Sequence, residues 1–77
     1  MIPLYVFVEG DTLGLLVLAR EHETVADLTE RIQRAASLRA RRLERPVLRH
    51  RDHALEPLER VGEAGLQPLD RVDVRGA

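Results

Sequence analysis

The sequence of 77 residues contains no Cys, Lys or Trp, and its only aromatic side chains are Tyr5 and Phe7. Without Cys the chain can form no disulfide and no thiolate site, which suits a reducing compartment. No apolar run approaches the roughly 18 residues that a membrane helix needs, and no secretory signal precedes the first strand-like run. We therefore expect a cytoplasmic protein that does not contact the membrane.

Charge is unevenly distributed along the chain, although the formal net charge is only −1. Residues 1–30 contain six acids and one Arg, residues 31–53 eight Arg and two acids, and residues 54–77 five acids and three Arg. The basic middle could contact phosphates through Arg39, Arg41, Arg42, Arg45, Arg49 and Arg51. Because no aromatics are interleaved for base stacking and no nucleic-acid-binding motif is present, an acidic protein surface is the better partner for these arginines.

The first half of the chain reads as a β-hairpin followed by the main helix. Residues 4–8 are β-branched and aromatic, residues 13–19 are apolar, and turn-forming residues separate the two runs. Thr24 followed by Asp27 is a variant of the capping box that begins many helices. Apolar residues at helical spacing then predict a helix from about Val25 to Leu38.

The second half reads as short strands joined by tight turns. We predict a strand at 47–50, a turn at 52–53, a very short partner strand beginning at Leu55, a helical turn within 59–66 and a last strand at 71–74. This order, in a single domain of residues 1–77, resembles the β-grasp fold of ubiquitin. The resemblance implies an α+β fold of ββαββ order, with one main helix on one face of a mixed sheet of four to five strands.

Four stretches carry a narrower resemblance. They are Pro3 with Glu9-x-Asp11 and the apolar run after it, Glu23-Thr24-Val25, the basic stretch from Arg41 to Arg51, and Pro57-x-x-x-Val61-Gly-Glu-Ala-Gly-Leu-x-Pro-x-Asp-x-Val-Asp-Val74. The last stretch is the most specific. Together they resemble the ubiquitin-like gamma (B) subunits of toluene and alkene diiron monooxygenase hydroxylases. The resemblance implies a non-catalytic subunit that binds larger hydroxylase subunits, where the iron, oxygen and hydrocarbon chemistry takes place.

No combination of residues in the sequence predicts a catalytic or metal site. There is no Ser/His/Asp set, no glycine-rich phosphate loop and no dinucleotide fingerprint. His50 and His53 form the only cluster with a metal-ligating character, but they should point to different faces and have no third ligand nearby in sequence. We therefore expect no enzymatic activity, no metal and no cofactor for this chain.

The predicted hairpin has large apolar side chains on both faces. In a β-grasp domain the helix covers one face of the sheet, so each strand should alternate buried and exposed residues. If Leu4, Val6, Val8, Leu15 and Val17 face the helix, the opposite face carries Tyr5, Phe7, Leu16 and Leu18; a one-residue slip would exchange the two sets. Either loops shield the outer set, or it binds a partner.

We favour the second interpretation of this face. The predicted partner-binding residues are Tyr5, Phe7, Leu16 and Leu18, with Arg49 and Arg51 setting the orientation. An uncovered surface of this kind should make the isolated chain self-associate or bind a hydrophobic dye at high concentration.

The end of the last strand suggests a different class of function. Arg75, Gly76 and Ala77 follow Val74, and removal of Ala77 would expose Gly76 for activation, as in a prokaryotic ubiquitin-like modifier or a sulfur carrier. Two residues beyond Val74 span at most ~7 Å, which is short for the channel of an activating enzyme. The absence of Lys also removes the usual route to chains of modifiers. A third interpretation is an adaptor of a bacterial secretion system, which the chain resembles in its fold and in the segment Gly65-Leu66…Asp70-Arg71-Val72.

Overall fold

A computed structural model describes the whole chain, from Met1 to Ala77, as one five-stranded sheet with one α-helix. In chain order the elements are β1 (Ile2–Val8), β2 (Leu15–Ala19), α1 (Val25–Ala36), β3 (Pro46–His50), β4 (His53–Ala54), a 3₁₀ turn (Val61–Glu63) and β5 (Arg71–Gly76). The strand order is β2-β1-β5-β3-β4, with β1 and β5 parallel and the other pairs antiparallel. The predicted α+β, ubiquitin-like fold is confirmed. No helix combines the length and the apolar character that crossing a membrane requires.

Helix α1 begins where the sequence predicts, because both hydrogen bonds of the capping box form. The Asp27 N–H donates to Thr24 Oγ1 at 3.1 Å, and the Thr24 N–H donates to Asp27 Oδ2 at 3.4 Å. The helix packs on the sheet through its buried side chains Val25, Leu28, Ile32 and Ala36. It ends at Ala36, two residues before the predicted end, because Leu38 lies beyond the core and is 97% exposed.

The register of the strands separates a buried face from an outer face. Leu4 lies opposite Val17, and Val6 lies between Leu15 on β2 and Val72 on β5. Leu4, Val6 and Val72 belong to a core of 13 buried apolar residues that includes the inner side chains of α1. Of the two possible phases the strands have the first, in which Tyr5, Phe7, Leu16 and Leu18 lie on the face opposite α1.

Three boundaries in the second half differ from the prediction. The tight turn between β3 and β4 is Arg51–Asp52, one residue early, and both residues have positive φ, at 51° and 65°. A two-residue hairpin of this kind favours Asn or Gly, so Arg51 gives no signal of it in the sequence. β4 is His53–Ala54 rather than a strand beginning at Leu55, and β5 continues to Gly76 because the first residues of β3 extend opposite it.

Candidate protein-docking surface

The outer sheet face is the face of the sheet that α1 leaves uncovered. Tyr5 stands between Leu16 on β2 and Arg71 on β5, and Asp73 stands between Phe7 on β1 and Arg49 on β3. The face therefore divides into an apolar half on β1 and β2 and a charged half on β5 and β3.

The apolar half carries an exposed cluster that we call the apolar patch, formed by Pro3, Tyr5, Leu16 and Leu18. Tyr5 is 46% exposed, Leu16 63% and Leu18 51%. Pro3 lies opposite Leu18 in the register, and Tyr5 lies opposite Leu16, so the four side chains are neighbours. Contiguous apolar side chains on the outside of a small protein are typical of a binding surface.

Phe7 lies on the predicted face but is half-buried rather than free. The guanidinium carbon of Arg71 lies 4.2 Å from the centroid of the Phe7 ring, a cation–π contact that covers the ring. The chain also passes close to the ring at Gly14, where an added Cβ would lie 3.0 Å from the ring atoms Cε1 and Cζ. Phe7 thus joins the two halves of the face and offers less surface than Tyr5 or Leu16.

The charged half forms a hollow of about 590 Å³ that we call the Arg depression, lined by Arg49, His50, Arg51, Asp52, Asp70, Arg71, Asp73 and Arg75. Arg71 Nε donates to Asp73 Oδ1 at 3.1 Å, and Arg75 lies 4.0 Å from the same carboxylate. Arg49 has no carboxylate partner and donates to the Asp52 carbonyl oxygen at 2.8 Å. Four Arg face three Asp here, so the depression can still pair with a carboxylate of another protein.

His50 and Asp70 form the buried side of the Arg depression. His50 Nε2 lies 2.8 Å from Asp70 Oδ2, and the same oxygen accepts the Gln67 N–H at 3.0 Å. These two hydrogen bonds hold the pKa of Asp70 below its ordinary value. His53 sits opposite His50 in the register but is exposed on β4, and no group of three metal-ligating side chains comes together. The hydrogen bond between His50 and Asp70 holds the β3–β4 hairpin against the segment that leads into β5.

The arginines of the basic middle do not form one continuous surface. Arg39 Nη2 lies 2.9 Å from Asp11 Oδ2, and its hydrogen bond is the main cause that lowers the pKa of Asp11. Arg42 is bonded to Glu30, so these two arginines pair with acids from the first 30 residues. Arg49 and Arg51 lie apart from them, in the Arg depression. The acidic and basic blocks of the sequence therefore partly neutralise each other across the fold.

The C-terminal residues do not form the free tail that the modifier hypothesis requires. Arg75 and Gly76 lie in β5, where they pair with Val47 and Pro46 of β3. The Gly76 N–H donates to Glu9 Oε1 at 3.3 Å, and the Ala77 N–H donates to the Arg45 carbonyl oxygen at 3.0 Å. Gly76 is exposed, but its release for activation would require this sheet pairing to open.

Arg71 and Asp73 are the surface residues that the sequence analysis missed. They alternate with the buried Val72 and Val74, so the outer position of both was readable from the last strand. Their neighbours were not readable, because the parallel pairing of β1 with β5 places Arg71 beside Tyr5 across more than 60 residues of chain.

Comparison with protein families identifies the family of this chain. The family model of toluene-4-monooxygenase system protein B matches residues 1–75. The chain belongs to this family. Comparison with curated proteins gives no sequence match.

Solved structures show the same fold as this member of the system protein B family. A chain in a toluene 4-monooxygenase HD complex with the inhibitor 4-bromobenzoate has a TM-score of 0.86 at 21% identity, covering 95% of this chain and 94% of that chain. A computationally designed protein based on human erythrocytic ubiquitin has a TM-score of 0.77 at 23% identity, with coverages of 100% and 92%. Ubiquitin from Caldiarchaeum subterraneum has a TM-score of 0.77 at 14% identity, with coverages of 95% and 89%.

Proposed function

We propose that this chain is a non-catalytic, ubiquitin-like subunit of a multicomponent diiron monooxygenase of the toluene or alkene type. In this proposal it docks on the larger hydroxylase subunits through its outer sheet face, in the cytoplasm. The observation that carries the proposal is the match of the system protein B family over residues 1–75.

The apolar patch supports docking on a large protein. Leu16, Leu18 and Tyr5 together keep about half of their side-chain surface in water. Full burial of a large apolar side chain is worth about 1.5–3 kcal/mol, so covering the patch gives a few kcal/mol toward assembly. Arg71 stands beside Tyr5 of the patch and Arg49 lies two strands from β1, on β3, where pairing of both with carboxylates of the partner would set the orientation.

The chemistry of the charged half supports a role without catalysis. The three Asp of the Arg depression lie among four Arg, and the lowered pKa of Asp70 keeps that group ionised at neutral pH. A carboxylate in this state cannot act as a general acid near pH 7. His50 is held against Asp70 by a 2.8 Å hydrogen bond. These groups fit the recognition of a protein surface better than the conversion of a substrate.

The alternative functions have less support. A modifier or sulfur carrier would have to detach Gly76 from Pro46 and Glu9 before an enzyme could reach it. The secretion-adaptor hypothesis gains no observation beyond the shared fold.

Assembly with the larger subunits tests the proposal. We would co-express the chain with the hydroxylase subunits encoded beside it and measure the affinity of the purified components by calorimetry. Tyr5→Thr with Leu16→Thr removes apolar surface but keeps the strand-forming character of both positions. We expect the double variant to weaken assembly by about 2–4 kcal/mol if these residues are anchors. Phe7 is left unchanged, because its contact with Arg71 makes it part of the fold.

The matched control is Leu38→Thr with Leu58→Thr. Both leucines are more exposed than Leu16, at 97% and 85%, but lie outside the outer sheet face. The control should assemble like the unchanged chain. Failure of the unchanged chain to bind the larger subunits would refute the proposed function, and equal affinities for the two double variants would refute this docking surface.

A further inference from the structure

Strand β2 is an edge of the sheet, and the hydrogen bonds of β1 show which of its backbone groups are free. The Tyr5 N–H donates to the Asp70 carbonyl oxygen at 2.9 Å, and the Pro3 carbonyl oxygen accepts the Leu69 N–H at 2.6 Å. Pro3 and Tyr5 therefore direct their backbone groups toward β5. Opposed residues of an antiparallel pair of strands are alternately hydrogen-bonded to each other and not bonded, and in a non-bonded pair the backbone groups of both residues point away from each other. Leu18 and Leu16, the register partners of Pro3 and Tyr5, therefore direct their backbone groups away from the sheet.

One end of this free edge is already closed by side chains. Arg31 Nη2 donates to the Leu18 carbonyl oxygen at 2.8 Å, and the Arg20 N–H donates to Glu23 Oε2 at 2.7 Å. The Leu16 N–H, the Leu16 carbonyl oxygen and the Leu18 N–H remain. Strand β2 contains no charged residue and no Pro, the usual devices that protect an edge from pairing with another chain.

We propose that this edge receives an extended segment of the same larger partner, which adds a sixth strand beside β2. The inference rests on the proposed function, because Leu16 and Leu18 supply both the side chains of the apolar patch and the free backbone groups. A partner that covers these side chains also removes water from the backbone beside them. Buried N–H and carbonyl groups must then be hydrogen-bonded.

An extended segment is the partner structure that fits these groups. The free positions recur at every second residue, about 6.6–6.8 Å apart, which is the spacing of hydrogen-bonding positions along another strand. Apart from its two ends, a helix satisfies its backbone groups internally and offers none to an edge. The added strand would begin near Gly14 and end where Arg31 and Glu23 close the edge.

A second copy of this chain is the weaker candidate for the edge. Strand β2 has five residues, so edge-to-edge pairing would cover a strip about 17 Å long and about 10 Å thick, or about 340 Å² in total. Stable specific interfaces bury at least about 1,200 Å². A large partner reaches such an area because it also covers the apolar patch.

Amide hydrogen exchange tests the proposal. Exchange would take place in the free chain and in the complex with the co-expressed hydroxylase subunits. The chain would then be dissociated from the complex, and NMR would show which of its amides had exchanged. In the free chain the Leu16 and Leu18 amides should exchange quickly, while the Val17 amide, which bonds to β1, should exchange slowly. In the complex we expect the Leu16 and Leu18 amides to become at least tenfold slower. Unchanged exchange in a complex that does form would overturn the strand addition and leave the proposed function standing.

A synthetic chain with N-methyl-leucine at position 16 supplies a second measurement. It keeps the side chain but removes the donor, so assembly should weaken about tenfold or more. N-methyl-leucine at position 58 is the matched control, because the Leu58 N–H makes no hydrogen bond within the chain. Equal affinity of the two chains would overturn the proposal. Slow Leu16 exchange in the free chain at micromolar concentration would also overturn it, in favour of a homodimer.

Discussion

The substitution Glu23→Ala should destabilise the fold, because the Glu23 carboxylate accepts three hydrogen bonds. The Glu23 carboxylate accepts the Arg31 Nε–H at 3.0 Å, the Arg31 Nη2–H at 2.6 Å and the Arg20 N–H at 2.7 Å. It joins the end of β2 to α1, and its side chain is only 9% exposed. Hydrogen bonds to a charged group contribute about 1.5–3 kcal/mol each, but water can reach Arg31 and replace part of the loss. We expect a net cost of about 2 kcal/mol, which lowers the Tm of a domain of this size by about 8–16 °C.

Urea unfolding followed by far-UV circular dichroism measures this cost. Glu21→Ala is the matched control, because Glu21 is exposed nearby and its side chain forms no ion pair. A double-mutant cycle with Arg31→Ala isolates the contribution of the pair, for which we expect a coupling of at least about 1 kcal/mol. If Glu23→Ala costs no more than the control, or if the coupling is zero, the assigned role of this network is wrong.

Two further substitutions test local features. Because the pKa of Asp70 is lowered in the folded state, its contribution to stability is present above its ordinary value of about 3.8 and is lost as the pH falls below it. Asp70→Asn should therefore make the unfolding free energy less dependent on pH between about 5 and 2 in a titration, and an unchanged slope would contradict this. Leu69 is 56% exposed and has a φ of 67°, a left-handed conformation that is strained for Leu and relaxed for Gly. Leu69→Gly should therefore raise the unfolding free energy by about 0.5–1 kcal/mol. A lower unfolding free energy would show that the Leu69 side chain contributes more to stability than the backbone strain costs.

Local patterns were sufficient to predict the fold. Although a one-residue slip of β1 stayed open, the Thr24 and Asp27 capping box predicted the start of α1 and the apolar runs predicted the hairpin strands. These signals depend on neighbours in sequence, so they can be read without tertiary contacts. The end of α1 could not be read in the same way, because Leu38 continues the apolar spacing but finds no core beside it.

The candidate surface was predictable only in part. Since the helix can cover only one face, the sequence predicts that one apolar set stays outside, but the strand register was needed to identify that set as Tyr5, Leu16 and Leu18. The shielding of Phe7 by Arg71 and the pairing of Arg39 with Asp11 join distant parts of the chain, which spacing in the sequence does not reveal. The charged half of the surface therefore needed the strand order before its arginines could be placed.

Photo-crosslinking from position 16 tests docking through the outer sheet face most directly. The photoreactive amino acid p-benzoylphenylalanine would replace Leu16 in one variant and Leu38 in a control, and each would be co-expressed with the hydroxylase subunits. Both leucines are exposed in the free chain, but only Leu16 lies in the apolar patch. Docking through this face predicts that irradiation joins position 16 to a large subunit in high yield and leaves position 38 unlinked. Efficient crosslinking from position 38 with none from position 16 would contradict it.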